Sequence, residues 1–464
     1  MLLLAVLGGL GWLIATPEGF RWLTSELAVL SQGRLKIEGV EGHLLAPTLA
    51  VRRLEITRDT NRIRVDHARI DWQPRALLDL RLDIRQLTVQ RVEVETLKPS
   101  AEPVTLPASL RLPFGLVLGP TRIDLARLDI KQPDQTLSLS DIHLGVDGTT
   151  DDWRLQLDSL VTPWASLRGQ ARIGQDAPFA LTGHVDAIRS EPLAVAAALD
   201  LKGTLEAIQF ELEARTARPD TVGQALDFLA SGEVAPFAEL LLPRLLVAGQ
   251  GIDPAQWAEG APAADLAFSG IFEQLPGKRL LGTFSLNNAQ AGRLDRGRLP
   301  LVELTGAVLG DARHADFSAL EIDLGAAGRL TGDGQWRDGN FALALASDRL
   351  NLAGLHGSLY TSHIRTVLQL SGDAVRQRLR AEVDGNYGRG HFVLTHDAER
   401  LRVEALDLTG KHGGRVTAQG DLNLTGTQAF AVRFDVARFN PARFGAFPQA
   451  RLNARGQASG ALAP

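Results

Sequence analysis

The sequence predicts a mainly β chain, a meander of half-buried antiparallel strands behind an N-terminal membrane helix. Three observations carry that prediction. Apolar residues recur at every second position in short runs along the chain. Glycine is abundant (Gly 46) while aromatic residues make up 6% and Met 1, which implies many turns and a thin aliphatic core. One uninterrupted apolar stretch stands at the start.

That stretch, residues 2–15, reads LLLAVLGGLGWLIA and is followed by Thr16, Pro17 and Glu18. Leu2, Leu3, Leu4, Val6, Leu7, Leu10, Trp12, Leu13 and Ile14 form the expected membrane anchor, with Phe20 and Trp22 as further interfacial side chains. A bilayer core of ~30 Å takes ~20 helical residues. The run is shorter, so residues ahead of Met1 or the interfacial side chains would complete it. A signal peptide has an apolar region of this length, but no basic region precedes this one and no A-x-A site follows. An uncleaved anchor over 1–23 is the expectation.

Alternation begins at Leu35 and Ile37 and returns at Ile63/Val65, Leu82/Ile84, Ile123/Leu125 and Leu155/Leu157. Such spacing sets one face against an apolar medium and leaves the other in water. The pairs Leu82/Ile84, Leu87/Val89 and Val92/Val94 each follow the last by an odd step of five, as Leu128/Ile130 follows Ile123/Leu125. An odd step turns the second pair to the opposite face of a straight strand, so bulges or tight bends must intervene. A twisted sheet around a core and a strongly curved sheet both satisfy this.

Glycine sits two positions after an aliphatic residue in Leu167-x-Gly169, Leu181-x-Gly183, Leu201-x-Gly203 and Leu330-x-Gly332. Within a strand it marks a bend, a bulge or a close backbone approach, so its repetition implies repeated curvature. GDGQWRDGN at 332–340, VDGN at 383–386 and KHGG at 411–414 suit hairpin turns that need positive φ. Glu191-Pro192, Asp253-Pro254 and Asn440-Pro441 each precede a leucine (Leu199, Leu266, Leu452) that opens a stretch closing at Gly203, Gly270 and Gly456. These are read as repeat-unit boundaries, unevenly spaced. The one substantial helical pattern, residues 221–246, is cut by Pro236 and Pro243, which predicts a short helical insertion over 221–250 between strand regions 24–220 and 251–464.

Lys+Arg 49 against Asp+Glu 54 gives a net charge of -5, so no cationic excess is available for nucleic acid. Cys 0 excludes disulfides, thiolate metal sites and a cysteine nucleophile. No phosphate-binding loop, G-x-G-x-x-G, H-E-x-x-H or G-x-S-x-G pattern occurs. His356/His363 and His391/His396 are too far apart to ligate as i, i+4 pairs, and Asp147, Asp151 and Asp152 suit a turn as well as a calcium ion. No catalytic residue, metal site or cofactor, and no enzymatic activity, is expected.

The apolar start, ATPEGFRWL at 15–23, GRLKIEGVEGHLL at 33–45 and the segment 63–95 with Trp72-Gln73-Pro74 resemble the start of the TamB family, the inner-membrane component of the bacterial translocation and assembly module within the AsmA-like group. The likeness is sharp over about the first hundred residues. It departs in lacking a basic lead before the anchor and in length, and implies an N-terminal portion of a longer protein. What the resemblance implies is an elongated, curled antiparallel β-meander with an open apolar groove, β-taco-like, single-pass in the inner membrane with its bulk in the periplasm. At ~4.8 Å per strand, about 25 strands would give a path on the order of 120 Å.

The implied partners are phospholipids, the inner membrane and an outer-membrane β-barrel of the TamA type, the last engaged through a C-terminal region outside this chain. The implied function is a bridge-like lipid conduit lined by Ile63, Val65, Leu82, Ile84, Ile123, Leu125, Leu155, Leu157, Val432, Phe434 and Val436. A closed core would use the same side chains. The alternative is a scaffold whose exposed strand edge assists assembly or secretion of outer-membrane β-barrel proteins.

Overall fold

A computed structural model describes residues 15–461 other than 59, 98–104, 133–135, 191–193, 217–225, 257–260, 278, 312, 412 and 444–445. The expected anchor side chains Leu2 to Ile14 lie outside the described residues, as do Glu191-Pro192 and part of the 221–250 segment. The chain divides into two compact units, one comprising Met1–Thr221 with Leu229–Leu241 and the other Val222–Phe228 with Leu242–Pro464.

The first unit opens with helix α1 (Pro17–Leu30). Thr16 caps it, its Oγ1 accepting the Gly19 N–H at 3.1 Å, and Pro17 takes the first helical position, where no N–H is needed. Gly33, at φ 81°, turns the chain into the sheet. Among the described residues no helix is long and apolar enough to cross a membrane.

Strands follow as β1 (Leu35–Glu41), β2 (Thr48–Thr57), β3 (Asn61–Gln73), β4 (Arg81–Thr96), β5 (Val117–Leu118), β6 (Thr121–Lys131), β7 (Thr136–Gly148), β8 (Asp152–Val161), β9 (Ser166–Gly174), β10 (Ala180–Arg189), β11 (Val195–Thr204), β12 (Ile208–Thr216) and β13 (Asp227–Val234). Neighbours from β1 to β4 and from β6 to β12 pair antiparallel as successive hairpins. One step breaks the meander: β6 lies parallel to β4. The described part of the connecting segment, 105–120, holds Pro107, Pro113 and Pro120, which cannot donate to a ladder, and its one strand is β5. It carries the chain back to the starting end of β4, where β5 makes a short parallel pairing.

The odd steps in the sequence correspond to one shift of register and one line of skipped pairs. Asp71 pairs with Gln86 but Trp72 with Ile84, leaving Arg85 as the extra residue that lets Ile84 and Leu87 face the same way. A second break runs across the sheet in line, passing through Gly39, Arg52, His67, Gln90, Ala126 and Asp141, each skipped by the pairing on either side. Gly39, His67 and Asp141 there have φ of 66°, 54° and 52°. The crease turns Val65 with Ala68, Val92 with Val89, and Leu128 with Leu125 toward one face.

The second unit contains β14 (Arg244–Ile252), β15 (Leu266–Leu275), β16 (Arg279–Asn288), β17 (Glu303–Gly310), β18 (His314–Asp323), β19 (Arg329–Arg337), β20 (Asn340–Leu350), β21 (Ile364–Gly372), β22 (Arg376–Gly385), β23 (Gly388–Asp397), β24 (Arg400–Gly410), β25 (Arg415–Asn423), β26 (Ala429–Phe439) and β27 (Leu452–Ala461). All consecutive pairs are antiparallel. Among the described residues β1 pairs only with β2 and β27 only with β26, so both sheets are open.

The predicted helical insertion is corrected over its described part. Residues 227–234 and 244–252 are strands β13 and β14. Pro236 and Pro243 leave too few consecutive residues for a helix, and they fall in the connection between the two strands.

Two proposed repeat boundaries share one geometry. Asp253 Oδ1 accepts the N–H groups of Ala255 and Ala264, both at 3.1 Å, and Asn440 Oδ1 those of Ala442 and Ala450 at 3.1 and 3.4 Å. Asn351, invisible to the Asx-Pro pattern because Leu352 follows it, does the same with Ala353 and Ser362 at 3.2 and 3.0 Å and caps helix α2 (Leu352–Leu355). These boundaries open β15, β21 and β27, a period of six strands.

Fully buried large side chains are few. Leu320, Leu330 and Leu345 form one nucleus in the second unit, packed by Phe284, Leu304, Phe317, Ile322, Leu343 and Leu368. The accessible surface is 28503 Å², whereas two separate compact domains of half this 50.0 kDa mass would expose roughly 20,000 Å². The open sheets account for the excess. Leu330→Ala is expected to lower the stability of the second unit by about 3 kcal/mol, read as a reduced urea midpoint. Gly332→Ala should also destabilise, because a Cβ there would collide with the Ala344 carbonyl.

Candidate functional site

Cross-strand pairing converts the alternation within each strand into continuous rows across each unit. In the first unit one row runs Leu49, Ile70, Leu87, Ile123, Leu144, Leu157, Gly169, Val185, Leu199, Leu212, one residue from each of ten strands. Its length is ~43 Å at ~4.8 Å per step. In the second unit a row from Gly332 passes Leu345, Leu368, Ala381, Phe392, Leu406, Ala418 and Phe434 to Gly456.

Small and large residues alternate in these rows for a steric reason. A Cβ at Gly334 would strike Leu343, one at Gly390 would strike Leu408, and one at Gly270 would lie 2.6 Å from the Phe272 ring. Large side chains therefore lean over glycine neighbours and level the apolar face.

The first-unit candidates join through this register. Ile63 pairs with Val94 and Val65 with Val92. Ile84 pairs with Trp72, and Leu82 with Leu118. Ile123 reaches Leu157 through Leu144, Leu125 lies between Val89 and Ile142, and Leu155 between Val146 and Ala171. In the second unit, Val432, Phe434 and Val436 of β26 face Gly420, Ala418 and Val416. All eleven are half-buried, neither sealed in a core nor fully in water. Sequence reasoning missed Leu199, Leu212, Leu345, Leu368 and Phe392 as members. Their signal is the matching L-x-G and L-x-A spacing of neighbouring strands, which gains meaning once register is known.

The other face is charged and internally neutralised. Lys36, Glu55, Arg64, Glu93 and Asp129 are directly paired across β1, β2, β3, β4 and β6. Lys36 lies 3.1 Å from Glu55, Arg64 3.1 Å from Glu55 and 3.6 Å from Glu93, and Lys131 2.9 Å from Glu93. Asp129 is 1% exposed beneath Arg91 at 2.5 Å and Arg127 at 2.9 Å, and accepts the Ser138 hydroxyl at 2.7 Å. Burial alone would raise its pKa, but the Ser138, Arg127 and Arg91 hydrogen bonds outweigh it and hold the carboxyl at about 2.

His143 bridges Asp124 at 2.5 Å and Asp141 at 3.1 Å, and the Asp124 hydrogen bond raises its pKa above the ordinary value. His184 is raised likewise by Asp200, at 2.7 Å. A furrow of about 930 Å³ across β6 to β11 is lined by Arg122, Arg154, Arg172, His184, Asp200 and Lys202 together with Val146, Leu155, Ala171 and Leu201.

The calcium reading of Asp147, Asp151 and Asp152 gives way to the turn. Thr149 Oγ1 accepts the Asp152 N–H at 3.0 Å and donates to its carboxylate at 2.9 Å, and Arg154 lies 3.4 Å from that carboxylate. No group of His and acidic side chains among the described residues could hold a metal ion.

An open sheet with one apolar face and one ion-paired face defines a β-groove protein. Residues 6–161 match the family model described as TamB, N-terminal domain, so this portion of the chain is similar to that domain. No curated protein and no solved structure matches the chain.

The Asp129 carboxyl lies below the ordinary ~3.9, so its contribution is complete above pH ~4 and is lost as pH falls through about 2. Asp129→Asn should therefore lower urea stability by about 2 kcal/mol at pH 7, with the difference from the parent shrinking toward zero near pH ~2. His143 and His184 should titrate by NMR with midpoints above the ordinary ~6.5. Asp124→Asn should return the His143 midpoint toward that value.

Proposed function

We propose that the chain is a bridge-like conduit that carries phospholipids between inner and outer membranes along its apolar β-face, anchored in the inner membrane with its bulk in the periplasm. The observation that carries this reading is the register-matched apolar row spanning ten strands of the first unit while its members stay half-buried. A closed core would bury such residues, and a folding scaffold would not need a continuous row.

Each acyl CH₂ that leaves water for the face gains ~0.8 kcal/mol, and successive strands offer nearly equivalent contacts. A lipid can therefore pass from strand to strand without a large free-energy step, its headgroup remaining at the open side. Nothing in this passage requires chemistry, so the proposal is of a non-enzymatic carrier whose directional drive comes from other components. The similarity to the TamB N-terminal domain supports the same reading, including an outer-membrane β-barrel partner.

Photo-crosslinking amino acids at Val65, Ile84 and Val432 should capture phospholipid, whereas Gln90 and Arg433 should not. Protein strands captured at the free edge of β1, with no lipid at the three apolar positions, would instead favour a role in β-barrel assembly. Leu125→Asp should fold and yet reduce lipid delivery, because it places a charge between Val89 and Ile142 on the apolar face.

A further inference from the structure

The loops at one end of β22 to β27 enclose a pocket of about 640 Å³ within the second unit. It is lined by Tyr387 of the β22–β23 turn, Lys411 of the β24–β25 turn, Arg438 at the end of β26, and Arg443 and Arg451 of the β26–β27 connection, with Tyr360 from the segment ahead of β21. The backbone that carries the four cations is pinned. Asn440 Oδ1, by accepting the Ala442 and Ala450 N–H groups, fixes the residues directly ahead of Arg443 and Arg451. The Lys411 N–H donates to the Tyr387 carbonyl at 3.1 Å, and the Tyr387 hydroxyl donates to the Thr361 carbonyl at 2.9 Å. Arg438 stands in the irregular pairing between Val436 and Phe439 with φ 50°, and its N–H donates to Asn453 Oδ1 at 2.9 Å. A non-glycine residue rarely takes that conformation, and a bulge is a means of re-aiming one side chain.

The charge of this pocket is of one sign. Lys411, Arg438, Arg443 and Arg451 line it with no acidic side chain, and none of the four has an ion pair among the described residues. The neighbouring strands do the opposite: Arg402 lies 2.6 Å from Asp421, Arg415 2.5 Å from Asp407 and Arg455 3.0 Å from Asp435. A furrow of about 660 Å³ over β21 to β25 likewise sets Arg365, Arg389 and Arg415 beside Glu382, Asp384 and Asp407. The furrow over β6 to β11 sets its cations beside Asp147, Asp158 and Asp200. In a chain of net charge -5, four cations around one pocket without an acid run against the composition.

We propose that this pocket binds an anionic phosphate ester, with Arg438, Arg443, Arg451 and Lys411 on its oxygens and Tyr360 and Tyr387 against its organic part. Guanidinium forks match phosphate oxygens two at a time, and the lysine adds a point charge. A cleft lined by one sign of charge also concentrates the opposite ion. The volume falls within the ~300–1,000 Å³ of small-molecule sites, larger than a bare inorganic anion needs. The two tyrosines are the only ones in the chain, and each offers a ring and a hydroxyl to a ligand that is part apolar and part polar. None of these residues belongs to the apolar row of the second unit, so the site does not require the conduit reading. A phospholipid headgroup and a free glycerol phosphate present the same chemistry to it.

Calorimetry on the full chain tests this with glycerol phosphate and with dihexanoyl phosphatidylglycerol below its micelle concentration. Glycerol and dihexanoyl phosphatidylcholine are the uncharged and zwitterionic controls. Both anionic esters should bind, about tenfold more weakly in Arg443→Gln and in Arg451→Gln and more weakly as salt rises. Arg443→Lys should keep more affinity than Arg443→Gln, and Lys202→Gln, in the other furrow, should match the parent. Both arginines are exposed, so the thermal midpoints of these variants should equal the parent's. A preference for phosphatidylglycerol that Arg443→Gln removes assigns the ester to a lipid headgroup, and equal binding of the two assigns it to the phosphate ester alone; both support the site. No binding of either ester, binding unchanged by both glutamine substitutions, or equal binding of phosphatidylcholine would overturn the inference. Glycerol phosphate has no acyl chain, so its result stands or falls apart from lipid transfer along the apolar rows.

Discussion

Cross-strand register is the constraint on which the rest of the structure depends. A strand offers its apolar residues to one side only while its alternation is unbroken, and the odd steps in β4 and β6 would scatter them to both sides. The aligned crease through Gly39, His67, Gln90, Ala126 and Asp141, with the extra residue at Arg85, restores a common face. Because the break falls in line on successive strands, pairing continues past it. The ion-paired row from Lys36 to Asp129 holds the same register from the other side, since a one-residue slip would set its charges opposite apolar residues such as Ile56, Val65, Val94 and Leu128.

This division of labour explains how a chain with few sealed side chains keeps its form. Leu320, Leu330 and Leu345 provide a local nucleus, a few side chains such as Trp72, Phe179 and Leu181 are buried elsewhere, and the row residues of the first unit stay half-buried. Glycines such as Gly332 and Gly390 serve the surface as much as the backbone, because the neighbouring strand or its leucine occupies the space a Cβ would need. Partial exposure of aliphatic side chains lowers stability, and a lipid that covers them would recover that contribution.

Much of this was legible in the sequence, for a physical reason. Alternation is a local property, so Ile63/Val65, Leu82/Ile84 and Leu155/Leu157 announced their strands, and the odd steps announced the bulge at Arg85 and the unpaired position at Gln90. Asp253 and Asn440 also declared themselves, because an Asx side chain before proline has little else to do than cap a turn. What escaped is non-local. The parallel placement of β6 depends on where a proline-rich segment returns, and membership of Leu199 or Phe392 in a row depends on partners far along the chain. The helical pattern over 221–250 failed because its periodicity competed with Pro236 and Pro243, and strand pairing took what the prolines left.

The central claim is that the apolar rows are a lipid-accessible path and not an incompletely closed core. A phospholipid carrying a photoactivatable group on its acyl chain, mapped by peptide mass spectrometry after irradiation of the folded chain, tests it without choosing positions in advance. The account predicts adducts on apolar-row residues such as Leu144, Leu157 and Leu199 in the first unit and Leu368 and Leu406 in the second. Adducts confined to the N-terminal apolar segment, or spread over the ion-paired face around Arg64 and Arg91, would contradict it.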